Sequence, residues 1–152
     1  MARSYGIQYT GAVGHADHPF LCIYMATAAG VRPKIYELLF SSSAAPADNV
    51  SRCIVQRHTT AAPTGGSAPV ISPIDFADPA ALASAYAGST ATDTPSVVLM
   101  MFSVNLRATF RWVAAPSKEF VVPNTQWAGA GILVKAQTGG AYNPDASLFF
   151  EE

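Results

Sequence analysis

Arg107 and Arg111 lie among Thr109, Phe110 and Trp112 in the segment RATFRWVAAPSKEF, residues 107–120, of a chain in which only 12% of residues are charged. A guanidinium presents its donors as a planar fork that matches carboxylates and phosphates, so two on one face would form an anion-binding or subunit contact. Side chains alternate along a strand. A strand over 107–115 therefore directs Arg107, Thr109, Arg111 and Val113 one way and Ala108, Phe110, Trp112 and Ala114 the other. On that reading both guanidiniums stand on an outer face, while Phe110 and Trp112 enter the core. Three roles compete for such a face: plain solvent exposure, a subunit interface, where arginine is enriched, or nucleic-acid contact. The charge balance argues against the last, because nine Lys and Arg against ten Asp and Glu leave a net charge of −1. No long-range field draws this chain to a phosphate backbone, and no direct nucleic-acid binding is expected.

Other chemistry is poorly signposted. His15 and His18 flank Asp17 in HADH, but a zinc site needs three or four ligands, and neither His58 nor the two cysteines stands at a known spacing from this pair. A loop leading through Pro19 into a strand explains the motif without a metal. Nucleophilic catalysis needs a base beside the nucleophile and a third group to orient that base. The chain has no GxSxG elbow and no cysteine in an electropositive frame. Asp75 and Asp78, in PIDFADPA, are spaced like loop and helix-capping residues rather than an acid–base pair. GAVGHA and PTGGSA lack the lysine and the strand-to-helix context of a phosphate loop and read as turns. The expectation is no enzyme, no cofactor and no metal.

The elements that would position these residues are mostly strands. FLCIYMATA (20–28), KIYELLFSS (34–42), SRCIVQRHT (51–59), SVVLMMFSV (96–104), RATFRWVAA (107–115), EFVVP (119–123), GILVKAQ (131–137) and SLFFEE (147–152) are rich in β-branched and aromatic residues, with Gly, Pro, Asn and Asp at the joins. DPAALASAYAG predicts one short helix near 79–87, with Asp78 as cap, Pro79 in the first turn and Gly88 as stop. In SLFFEE both strand faces carry apolar groups, so this last strand is expected to be paired and covered almost to Glu152. About eight strands with long loops near 43–50 and 60–78 predict an all-β fold. The expected form is an antiparallel two-sheet β-sandwich, jelly-roll-like, with an immunoglobulin-like order as the alternative. The expected organisation is an N-terminal arm or edge segment, 1–19, followed by a single domain, 20–152.

Composition supplies the context. Apolar residues make up 50% of the 152 residues, and 12% charge is about half the ordinary share of about 25%. The longest apolar run, Phe20 to Val31, is shorter than the ~20 residues of a membrane-spanning helix, and the N-terminus has no uninterrupted apolar core like that of a signal peptide. Cys22 and Cys53 sit in apolar runs and read as small buried hydrophobes rather than as a disulfide. What remains is a subunit whose surface is covered by other subunits, since interface cores are depleted in charge.

The succession YELLFSSSAAPADN, CIVQRHTTAAPTGG, PIDFADPAALASA, RATFRWVAAPSKEFVVPNT and a terminal FFEE resembles small structural proteins of tailed-bacteriophage virions, most specifically over 107–123. The resemblance implies a capsid cement or decoration protein that binds the outside of the major capsid protein shell as a homo-oligomer, made in the host cytoplasm and located on the virion. It implies an interface role for Arg107 and Arg111, and for the Asp48–Asn49 turn and the N-terminal arm. Residues before Phe20 are the expected donor for strand addition to a neighbour. Two alternatives stand beside it: a tail or neck component, and a carbohydrate-binding module. For the latter, the inward turn of Trp112 leaves Trp127, in NTQWAGAG, as the platform for a sugar.

Overall fold

The computed structural model describes residues 2–11, 19–26, 30–43, 48, 50–58, 65–89, 95–123, 131–138 and 143–152. Among these residues eleven strands form in chain order: β1 Ser4–Thr10, β2 Pro19–Met25, β3 Lys34–Ser42, β4 Val50–His58, β5 Ile71–Pro73, β6 Ala83–Ala87, β7 Pro95–Asn105, β8 Phe110–Val113, β9 Phe120–Val121, β10 Gly131–Thr138 and β11 Pro144–Glu151. They build two antiparallel sheets. The first has the order β5-β1-β11-β3-β8, with β9 also pairing β3, and the second has the order β6-β2-β10-β4-β7. The chain crosses from one sheet to the other at almost every connection; only β6 to β7 and β8 to β9 stay within a sheet.

One apolar cluster draws on both sheets. Tyr5, Ile7, Leu38, Phe40, Leu148 and Phe150 enter it from the first sheet, and Leu21, Ile23, Met25, Val55, Phe102 and Val104 from the second. Rings from the two sheets meet, Phe20 to Phe40 at 6.2 Å and Phe40 to Phe102 at 5.9 Å, both edge-on, the arrangement that aromatic quadrupoles favour. β11 has the clearest two-residue period, with Pro144, Ala146, Leu148 and Phe150 buried and the residues between them half-buried. It lies between β1 and β3, and Arg3 and Glu152 exchange backbone hydrogen bonds of 3.0 and 2.9 Å. The C-terminal strand is thus paired up to its last residues, as its two apolar faces predict. Cys22 and Cys53 are both buried free thiols.

Three expectations are corrected. No helix occurs among the described residues, and the segment expected to be helical near 79–87 contains β6. Alanine favours a helix, but Ala83, Ala85 and Ala87 are buried while Ser84 and Tyr86 are half-buried, and antiparallel pairing of all five residues with β2 outweighs local propensity. Gly88 still ends the element. It has φ +64°, and a Cβ there would lie 2.3 Å from the Tyr9 hydroxyl.

Residues 1–19, expected as an arm or edge, include β1, an interior strand between β5 and β11. Tyr5 and Ile7 are 1% and 0% exposed. Burial of these two side chains binds the segment into the first sheet, so strand donation by residues 4–10 would empty part of the core.

The strand expected over 107–115 shrinks to β8, Phe110–Val113. A turn precedes it: the Asn105 side-chain oxygen accepts the Arg107 N–H at 3.0 Å, and its backbone carbonyl accepts the Ala108 N–H at 2.8 Å. Asparagine stabilises turns by this kind of local bond.

Candidate functional site

β8 runs along one edge of the first sheet, paired to β3 from Phe40↔Phe110 to Glu37↔Val113. Phe110 stacks on Phe102 at 3.9 Å with rings 4° apart, and Trp112 stacks on Phe120 at 4.4 Å and 12°. Both pack against the core, while Arg111 and Val113 are exposed. The inward and outward faces expected of this segment are those observed within β8. Arg107 is different. It lies in the turn, outside β8, so alternation does not pair it with Arg111 on one strand face.

Arg111 donates from Nε to the Glu37 carboxylate at 2.7 Å. Its side chain is 61% exposed and that of Glu37 17%. Most of the guanidinium therefore faces solvent while one nitrogen anchors β8 to β3.

Asp48 is exposed and accepts a hydrogen bond from Asn105 Nδ2. Asn105 is also the residue that closes the Arg107 turn, so Asp48 and the Arg107 backbone share one organiser. Asn49, the other half of the expected interface turn, and Trp127, the expected sugar platform, lie outside the described residues, as do His15, Asp17 and His18. Trp112, half-buried against Phe120, is committed to packing.

Two apolar surfaces were not foreseen from sequence. One is β7, the eleven-residue strand at the end of the second sheet. Val97, Val98 and Met101 on it are about half exposed, at 50%, 49% and 54%. Pairing of β7 with β4 shifts register opposite Val55/Gln56 and Arg57/His58, leaving Met100–Asn105 as its regular stretch. The other surface surrounds β5, where Val70, Ile74, Phe76 and Leu82 are exposed. Its signal was present in PIDFADPA, a segment whose apolar residues are embedded in turn formers with no strand period to bury them. The carboxylates there are structural: Asp75 accepts the Ala77 N–H at 2.9 Å, and Asp78 pairs with Arg3 at 3.7 Å.

No protein-family model, curated protein or solved structure matches this chain. The site must be read from its own residues.

Burial pushes the phenols of Tyr5, Tyr24 and Tyr36 above the ordinary 10.0. The nearby charge of Glu152 adds to the effect at Tyr5 and that of Glu151 at Tyr36, where a bond to Ser4 partly opposes it. All three are neutral hydrogen-bonding groups at physiological pH.

Proposed function

We propose that this chain is a jelly-roll β-sandwich that acts as a virion structural protein, a cement or decoration protein bound to the outside of a bacteriophage capsid. The architecture rests on strand order. With β5, β6 and β9 set aside, the eight remaining strands run β1-β11-β3-β8 in one sheet and β2-β10-β4-β7 in the other. That order matches the one expected of two Greek keys wound together, which supports the jelly-roll reading.

Architecture alone does not carry function. The observation that supports the functional reading is the β7 edge. Residues 95–105 contain no charged side chain, and Val97, Val98 and Met101 are about half exposed. Proteins that stay apart in solution protect sheet edges with lysines, prolines, bulges or covering loops. β7 has register shifts toward its start, where Val97 and Val98 lie, but Met100–Asn105 has neither charge nor proline, and an uncharged edge of this kind suits coverage by another chain. The low overall charge and the resemblance over 107–123 point the same way.

A cement bound at several points gains by multivalency. Each contact of modest area is weakened by the costs of association, and an oligomer engaging several copies of the major capsid protein raises effective affinity by about 10²- to 10⁴-fold. The test is copy number, by quantitative mass spectrometry of purified particles of the encoding phage. A simple ratio to the major capsid protein is expected. A handful of copies would move the chain to the tail or neck, and absence from the particle would end the virion reading.

A further inference from the structure

Phe76 is 99% exposed, yet the turn that carries it, between β5 and β6, is firmly held. The Asp75 side chain accepts the Ala77 N–H at 2.9 Å, and the Asp75 carbonyl accepts the Asp78 N–H at 3.0 Å. The turn is also fixed to the start of β1. Ile74 N–H donates to the Ser4 carbonyl at 2.8 Å, the Tyr5 hydroxyl donates to the Pro79 carbonyl at 3.2 Å, and Arg3 pairs with Asp78. A large ring held into solvent by a pinned backbone gives up little freedom when it docks, the property of an aromatic anchor.

Beside it, the outer face of the first sheet has a groove of about 580 Å³. Gly6, Gln8 and Phe149 line it from β1 and β11, and Ser72, Val70 and Ile74 line it from β5 and its flanks. Gly6 and Phe149 are register partners, and a Cβ on Gly6 would lie only 3.1 Å from the Phe149 ring. Glycine therefore lets that ring lie low across the strand and leaves the space above it open. None of the groove's lining residues is Asp, Glu, Lys, Arg or His, so an apolar ring entering it buries no charge.

Knob and groove belong to one edge of one molecule. Ile74 lines the groove and Phe76 stands two residues further on, outside it. A two-fold axis beside Ile74 would set each Phe76 against the groove of the other copy, the reciprocal contact that such symmetry requires. Asp75, the one charged residue in Ile74–Ala77, has its carboxylate engaged by its own turn. We propose that two copies of this chain associate about such an axis, with Phe76 of each seated in the Gly6–Phe149 groove of its partner. This identifies the surface that makes the homo-oligomer of the cement reading. It rests on that reading only for its role on the particle, and leaves β7 free for the shell.

The experiment is sedimentation equilibrium of the isolated full chain, with Phe76→Asp and Ser72→Arg as variants. Both positions are exposed, and unchanged thermal melting verifies that the variants fold. A wild-type dimer, reduced at least tenfold in association constant by Phe76→Asp and also by Ser72→Arg, supports the proposal. A wild type that stays monomeric, a dimer indifferent to both variants, an oligomer other than a dimer, or a dimer sensitive to Phe76→Asp but not to Ser72→Arg overturns it. Particle copy number is a separate measurement, so failure of the dimer and failure of the virion reading are told apart.

Discussion

The Arg111 guanidinium lies 2.7 Å from the Glu37 carboxylate, on the diagonal of the β3–β8 pair, since Arg111 faces Leu39 and Glu37 faces Val113 in register. This pair gives β8, only four residues long, a second hold on its neighbour beside the ladder bonds. An exposed ion pair contributes little to stability, about 0.2–1 kcal/mol. Arg111 thus has most of its hydrogen-bonding capacity left for a partner.

Arg111→Ala is expected to cost about 0.5 kcal/mol in urea unfolding at low salt, a difference that shrinks as salt screens the pair. Arg111→Glu sets two carboxylates on one diagonal and costs more, yet leaves a folded chain. On particles, the glutamate variant should lose occupancy well beyond what its stability explains. If occupancy merely tracks stability in both variants, Arg111 serves the sheet and not the shell.

Trp112 gives the contrasting case one residue away. Its ring stacks on Phe120, and Phe110 stacks on Phe102 of the second sheet. Truncating a packed aromatic costs about 3 kcal/mol or more. Trp112→Ala and Phe110→Ala should therefore lower the melting temperature sharply, with particle binding lost only as folded protein is lost. A stable Trp112→Ala chain that no longer bound particles would mean the indole contacts the shell directly.

Much of the fold was legible because its strands are written in β-branched and aromatic residues: β3 spans Lys34–Ser42 and β4 spans Val50–His58, close to where composition places them. β1 was harder to see. Tyr5 and Ile7 alternate as a strand should, but Gly6 and Gln8 between them mark an outer face whose packing comes from Phe149, far away in sequence. β5 is three residues ending in proline and exists only because β1 offers an edge. β6 has the composition of a helix and the burial period of a strand, and only its neighbour β2 decides between them. The Arg111 site was half legible: alternation gave its outward direction, but nothing local announces Glu37, 74 residues away.

Glu152 tests the closure of the β6 side. Its carboxylate accepts N–H bonds from Leu82 at 2.9 Å and Ala83 at 2.6 Å, just where β6 begins. Charged acceptors make the stronger hydrogen bonds, and losing these two should cost about 1–2 kcal/mol. In Glu152→Ala the amides of Leu82 and Ala83 should exchange faster with deuterium, while those of β4 change only by the global loss of stability. Unaltered exchange at both amides would mean β6 is held by β2 alone.

The buried phenols make stability depend on alkaline pH with a definite sign. The pKa of Tyr5 is raised above 10.0 by burial first and by the Glu152 charge second. The unfolded chain therefore releases this proton at lower pH than the folded one. The stabilisation is present in full below pH 10.0 and is lost as pH rises from there through the folded value. Tyr5→Phe removes the titrating group together with the hydroxyl bond to the Pro79 carbonyl. The variant should be less stable than wild type at neutral pH by a constant amount, and the gap should narrow above pH 10.0 because only the wild type has a Tyr5 phenol to ionise. Paired urea titrations across that range measure the gap directly. A gap that stayed constant would mean that the Tyr5 phenol ionises equally in folded and unfolded chains, and that burial does not set its protonation.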